Sequence, residues 1–386
     1  MYNLYTEYLV SFVLAFLVAF LATPFVKKLA FKVGAIDVPK DDRRMHNKPI
    51  GRLGGLAIIS GFLISVLFAV VRIPGVFAFN RDLLGLLAGI LIIVVMGLLD
   101  DIKQIRARIK LLFQLLAAIA FVIISGTRIE RITNPFSASG FSELSVYVSY
   151  PLTILWIVGI TNAINLIDGL DGLAAGVSSI SSLSLFIISI LRTDVDAYTA
   201  IYTAVLTASL SGSALGFLPY NFNPAKIFMA ETGSAFLGFT LGVVSIQGTL
   251  KSYATISIAI PVLVLGLPLF DTVFAILRRL INGKPIMQAD RGHLHHRLID
   301  MGLSQKQSVA VMYMASTVLG LCAIVLADTG IISAIILLVA VSVLLIGGAK
   351  YMSEIRNTNN PGVLSNTKSS TEVLEKKIDG EAESKI

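Results

Sequence analysis

Apolar residues along this chain come in long runs divided by short polar stretches. Most runs approach the roughly 20 residues that an α-helix needs to cross about 30 Å of hydrocarbon. They lie near residues 7–26, 53–71, 83–99, 109–125, 147–165, 172–191, 198–218, 233–248, 254–277, 308–327 and 330–349. The pattern predicts an all-α fold, a polytopic membrane helix bundle of about 11 transmembrane helices. The run at 233–248 is short and Gly-rich. The first run lacks a basic stretch before it and is followed at once by Lys27 and Lys28, so it reads as a retained span and not a cleaved leader. From about Ser353 the apolar pattern gives way to Ser, Thr, Asn, Lys and Glu. Such a segment cannot bury a core, which predicts a transmembrane catalytic domain over 1–350 and a disordered cytoplasmic tail over 351–386.

Composition agrees with the pattern: 55% of the residues are hydrophobic, 14% are charged and the mean hydropathy is +0.82, far from soluble domains. The single cysteine, Cys322, excludes an internal disulfide and a cysteine-based metal site. A net charge of +7 does not imply nucleic acid here, because no basic helix or aromatic platform accompanies it. Basic residues instead crowd alternate loops, where they set topology and meet anionic headgroups of the lipid bilayer. The first loop carries Lys27, Lys28, Lys32, Lys40, Arg43, Arg44, Lys48 and Arg52, whereas the opposite loops hold only Arg72, Arg81, Arg128, Arg131, Arg192 and Lys251. This asymmetry predicts an amino terminus outside and a carboxy terminus in the cytoplasm.

With sides assigned, the unusual polar clusters fall on the cytoplasmic side. Asp100 and Asp101 end the third run, where two carboxylates oppose a helix macrodipole unless a cation or nearby Lys103 offsets them. Asn162, Asn165, Asp168 and Asp171 follow at a strict spacing of three. On an ideal helix that stripe drifts by about 60° per step, so Gly169 and Gly172 are expected to let the backbone unwind. A loop from Asn221 through Pro224, Lys226 and Glu231 precedes the eighth run. His293, His295, His296 and Arg297 form a cluster suited to phosphate oxygens better than to zinc, since arginine beside it repels a cation. Asp271 either orients that cluster or pairs with an arginine. The first loop, with Arg44, His46, Lys48, Arg52, Gly54 and Gly55, suits a phosphate at the membrane surface. Gathering carboxylates, amides and imidazoles at one membrane face fits a charged soluble substrate meeting a lipid. A transporter would place them near the midplane and on both sides.

The Asp-Asp pair, Asn-x-x-Asn-x-x-Asp-Gly-x-Asp-Gly, the Asn-Pro-Ala-Lys loop and His-x-His-His, in that order and up to about residue 350, resemble the polyprenyl-phosphate N-acetylhexosamine-1-phosphate transferase family. The resemblance implies transfer of a sugar-1-phosphate from a UDP-sugar to undecaprenyl phosphate, with release of UMP. Ala289-Asp-Arg-Gly-His-Leu-His-His-Arg-Leu298 is similar to the branch that uses UDP-N-acetylglucosamine and starts cell-envelope polysaccharide or teichoic acid chains. The phospho-MurNAc-pentapeptide transferases carry a different His-rich ending. On this resemblance, Mg2+ (Mn2+ as the alternative) is held by Asp168 and Glu231, aided by Asn165 and Asp101. Asp100, Asp101, Asp168 and Asp171 are the catalytic candidates, with Asp100 deprotonating or positioning the lipid phosphate. Asn162, Lys226, His293, His295, His296 and Arg297 are expected on the nucleotide sugar, and Arg44, His46 and Lys48 near the lipid phosphate. A homodimer is compatible with this reading. One departure stands out: the family has Gly-Asp-[Ser/Thr]-Gly where this chain has Ala230-Glu231-Thr232-Gly233. Glu has the same oxygens on a longer stem, so a catalytically weakened member is the rival expectation.

Overall fold

A computed structural model describes residues 4–38, 48–77, 80–133, 141–192, 196–250, 258–285, 292–329, 332–333, 335–337 and 339. The chain divides into two units, Met1–Ala334 and Ile335–Ile386, and the described part of the second is a few helical residues. The expected tail over 351–386 and nearly all of the run at 330–349 lie outside the described residues.

In the first unit the helices are α1 (Leu4–Lys32), α2 (Gly55–Arg72), α3 (Pro74–Phe77), α4 (Arg81–Lys103), α5 (Ala107–Ser125), α6 (Val146–Ile167) and α7 (Leu173–Leu191). They continue as α8 (Ala197–Asn221), α9 (Ala230–Ser245), α10 (Ala259–Val264), α11 (Gly266–Ile281), α12 (Leu294–Asp300) and α13 (Gln305–Thr329). Two antiparallel two-stranded ribbons, β1 (Ile36–Asp37) with β2 (Ile50–Gly51) and β3 (Arg131–Thr133) with β4 (Phe141–Glu143), sit in the connections.

Eight of the described helices, α1, α2, α4 to α8 and α13, are long and apolar enough to cross a membrane, and they match eight of the expected runs. The protein is a polytopic, mostly helical membrane protein. The run at 254–277 is not one uninterrupted helix: its first residues lie outside the described ones, and the rest breaks at Leu265 between α10 and α11. Pro268, which has no N–H to give, is placed in the first turn of α11, where none is needed.

The helix that organises the site is α9. Every residue from Glu231 to Ser245 is buried, and a π turn over Ile246–Leu250 extends the helix without a gap. A helix apolar or small on all sides belongs inside a bundle, and α9 packs against α6, α4, α2 and α7. Its start is wedged between α2 and α4 backbone to backbone. A Cβ on Gly97 would stand 2.4 Å from Thr232 Cα, and one on Gly55 2.2 Å from Gly233 N. Around this centre, α1, α8 and α7 form one packed series and α4 with α5 another. Leu9, Leu21 and Phe25 of α1 and Ile123 of α5 stay exposed, as the lipid-facing side of a membrane bundle requires.

Candidate functional site

Helix α6 stops at Ile167, and the chain turns through Asp168 to Gly172 before α7 begins. Gly172 adopts φ +79°, a conformation glycine takes without steric cost. Its N–H donates to Asn221 Oδ1 at 3.1 Å and its carbonyl accepts the Tyr313 hydroxyl at 2.6 Å. The unwinding expected from the glycines is therefore present, and it splits the ladder: Asn162 and Asn165 stay on α6 while Asp168 and Asp171 ride the turn. Asn162 donates to Gln114 Oε1 at 2.6 Å. Asn165 donates to Glu231 Oε2 at 3.0 Å and Ser234 Oγ at 2.8 Å, tying α6 to α9. Asp171 Oδ2 accepts from Asn223 Nδ2 at 2.9 Å and from the Ala225 N–H at 3.0 Å, which draws the Asn221–Ala230 loop over the turn. That loop also pairs with the start of α2: Phe228 donates to the Gly51 carbonyl, and Gly54 and Gly55 donate to Phe228 and Met229.

Asp100 and Asp101 are both buried at the end of α4, yet they do different things. Asp100 accepts the Ile105 N–H at 3.0 Å and Lys110 Nζ at 2.9 Å, pinning the turn into α5. Asp101 accepts the Glu231 and Thr232 N–H groups, each at 3.1 Å, and the Thr232 hydroxyl at 2.6 Å. It thus satisfies orphan donors at the amino end of α9, where negative charge is favoured. Arg52 Nη2 approaches it at 3.6 Å. The counter-charge expected from Lys103 comes instead from Lys110, because α5 returns antiparallel and brings the first turn of that helix back to the carboxylates, while Lys103 is exposed. Lys110 Nζ also reaches Glu231 Oε2 at 2.9 Å. With Oε2 held by Lys110 and Asn165, Glu231 Oε1 is left buried with no hydrogen-bond partner.

A cavity of about 460 Å³ opens at this end of the bundle, between the Asp168 turn, the Asn221–Ala230 loop, the β1 and β2 ribbon and α12. Of the expected site residues, Asp168, Asp171 and His296 line it. Asp100, Asp101, Asn162, Asn165 and Glu231 do not line it, and Arg44 and His46 lie outside the described residues. Lys48, Lys226 and Arg297 are exposed and do not line the cavity; the Lys226 ammonium rests 5.9 Å above the Tyr220 ring. Arg52, one of the first-loop residues expected near a phosphate, also lines it, as do Gln104, Phe228 and Gln305, which the sequence did not single out. Gln305 accepts from Asn223 at 2.7 Å and so joins the Asp171 network.

The histidines divide in the same way. Asp271 accepts His293 Nδ1 at 2.9 Å and the Leu294 N–H at 2.8 Å, so it orients the cluster at the start of α12. His295 is buried against the Asp168 turn: a Cβ on Gly169 would stand 2.4 Å from its Nε2, and its ring lies 4.2 Å from that of His296. Burial first, and the neighbouring His296 second, push the His295 imidazole down to about 4, so it is neutral near pH 7.

Asp168 is half-buried at the cavity wall, and its carboxyl is raised well above the usual range, by desolvation first and then by the charges of Glu231, Asp101 and Asp171. Carboxylates that repel one another around a buried, unpartnered oxygen suit a hard cation. Of the hard cations, Mg2+ takes one or two carboxylates and leaves the remaining positions to water and substrate phosphates. Asp168 and Glu231 are the residues that would hold it.

The glycosyl transferase family 4 model matches residues 83–249, which include the Asp pair, the ladder and the start of α9. A probable undecaprenyl-phosphate N-acetylglucosaminyl 1-phosphate transferase of Bacillus subtilis is 42% identical over 319 residues, covering 82% of this chain and 84% of its own length. A decaprenyl-phosphate N-acetylglucosaminephosphotransferase of Mycolicibacterium smegmatis is 33% identical over 316 residues, covering 78% and 77%. An undecaprenyl-phosphate alpha-N-acetylglucosaminyl 1-phosphate transferase of Pasteurella multocida is 28% identical over 316 residues, covering 80% and 84%.

Proposed function

The chain belongs to glycosyl transferase family 4, and on that premise we propose that it transfers N-acetylglucosamine-1-phosphate from UDP-N-acetylglucosamine to undecaprenyl phosphate. The observation that carries this reading is the convergence of the Asp168 turn, the Asn221–Ala230 loop and the His296 edge on one cavity at one end of the spanning helices. A water-soluble nucleotide sugar and a membrane-anchored phosphate can meet there. The excess of Lys and Arg in the loops on that side supports a cytoplasmic face and an outside amino terminus.

In the reaction a lipid phosphate oxygen attacks the β-phosphorus of the donor. A new P–O bond forms, the P–O bond to the bridging oxygen breaks, and UMP leaves with that oxygen. Mg2+, when bound by Asp168 and Glu231, supplies positive charge against the diphosphate. The chain's own residues position the reactants. Asp171 holds the Asn223 to Ala225 loop against the cavity. Asp101 fixes the first turn of α9, and with it the Glu231 backbone. Asp100 holds Lys110 against Glu231 and acts as a positioning residue, since a phosphate monoester with a second pKa near about 6 needs little help to ionise at neutral pH.

The test is transfer of label from UDP-N-acetylglucosamine to undecaprenyl phosphate by purified protein in detergent, with and without Mg2+. Mg2+-dependent lipid product with release of UMP is expected. Product from UDP-MurNAc-pentapeptide alone would reassign the donor. No product from either would replace transfer with a catalytically silent role.

A further inference from the structure

Of the basic residues expected on phosphate from the sequence, Lys48, Lys226 and Arg297 are exposed and do not line the cavity. Arg52 does face it. Its backbone is fixed by the hydrogen bond from its N–H to the Ala35 carbonyl at 2.9 Å, in the ribbon that forms one wall. Its side chain is 20% exposed, opening into the cavity where Asp37, Asp168 and Asp171 also lie. A wall with three carboxylates repels a phosphate-bearing substrate unless a cation stands among them, and Arg52 is the one Lys or Arg among the described lining residues.

The guanidinium is also available. Its Nη2 lies 3.6 Å from Asp101 Oδ1, too long for a good hydrogen bond, because that carboxylate is already occupied by three donors from the start of α9. Among the described residues the Arg52 guanidinium makes no hydrogen bond. Asp101 therefore holds the charge at the cavity wall, and a planar fork of N–H groups is the geometry that recognises phosphate oxygens in pairs.

We propose that Arg52 is a substrate-binding residue that takes a phosphate group in the cavity through its guanidinium fork. The proposal rests on the reading that this cavity receives a nucleotide sugar. The phosphate belongs either to the donor diphosphate or to the polyprenyl phosphate, and the two are separable by experiment.

Calorimetric titration of the purified full chain with UMP and with uridine isolates the phosphate, and initial rates against donor and acceptor concentration separate the sources. In Arg52→Gln, UMP affinity should fall about 10- to 100-fold, with uridine affinity unchanged as proof that the cavity is intact. Arg52→Lys should recover part of the loss, since a point charge replaces a fork. If UMP binding is unchanged and the KM for polyprenyl phosphate alone rises by a similar factor, Arg52 takes the acceptor's phosphate, and the proposal stands in that form. Equal loss of uridine and UMP would reduce Arg52 to a structural partner of Asp101 and overturn the proposal, as would unchanged binding and unchanged KM values. Wild-type protein that binds neither UMP nor uridine would instead overturn the nucleotide-sugar reading, and this inference with it.

Discussion

Lys110 Nζ stands 2.9 Å from Glu231 Oε2, joining the first turn of α5 to the first turn of α9. The same ammonium meets Asp100 at 2.9 Å, so one cation serves two buried carboxylates. Removing it takes this ammonium from both and leaves Asp100 the Ile105 N–H and Glu231 the Asn165 amide, in a low-dielectric interior where an unpaired charge is worse than no charge. Lys110→Met should lower stability by roughly 3 kcal/mol, read as a fall in the unfolding midpoint in detergent. Adding Asp100→Asn and Glu231→Gln to Lys110→Met should recover most of it. A single Lys110→Met variant as stable as the wild type would show that water already compensates these groups.

Glu231 stands where the family has Asp, and its longer stem is matched by its surroundings. Its Oε2 reaches both Lys110 and Asn165, and shortening the stem by one methylene withdraws the carboxylate from both. Glu231→Asp should therefore reduce turnover by about 10-fold or more, since misplacement of about 1 Å is costly in phosphoryl chemistry, and should raise the Mg2+ concentration needed for half-maximal rate. Turnover at or above the wild-type rate would mean that Glu231 is a poorly fitted ligand and not an adapted one.

The spanning helices were legible because apolar runs of the right length leave few other structures in a membrane, and the motif order led to the Asp168 turn and the α12 histidines. Partnerships across the fold were not legible. Lys103 is three residues from Asp100 and Lys110 ten, yet the antiparallel return of α5 selects Lys110. Asp101 resembled a reactive carboxylate, but its oxygens are committed to a helix start that is remote in sequence. A loop rich in Arg, His and Lys likewise suggests phosphate without saying which side chain the backbone aims inward, and the ribbon of β1 and β2 decides for Arg52.

Ala230 precedes Glu231 with φ +53°, in the left-handed region that costs an L-residue about 1 kcal/mol. The family's glycine at this place has a physical reason, and this chain departs from it. Ala230→Gly relieves the strain while adding some freedom to the unfolded chain, so the net gain should be under about 1 kcal/mol. A small upward shift in the thermal midpoint is expected, with transfer activity retained. A lower midpoint would show that the methyl group makes contacts worth more than the strain.

His295 links the site to pH through stability. Burial holds its folded-state value near about 4, below the roughly 6.5 of an unfolded histidine. As pH falls between those values, the unfolded chain takes up a proton that the folded chain refuses, so the folded state loses ground. Stability present above about pH 6.5 should decline by about 2 kcal/mol between about pH 7.5 and about pH 5, and the contribution levels off below about pH 4. Denaturation midpoints measured across that range should show the decline, and His295→Gln, which cannot take up the proton, should remove this part of it. An equal slope in the variant would show that the acid sensitivity does not come from His295, and the raised Asp168 carboxyl is not its source either, since a group that takes up its proton first in the folded state gains stability as pH falls.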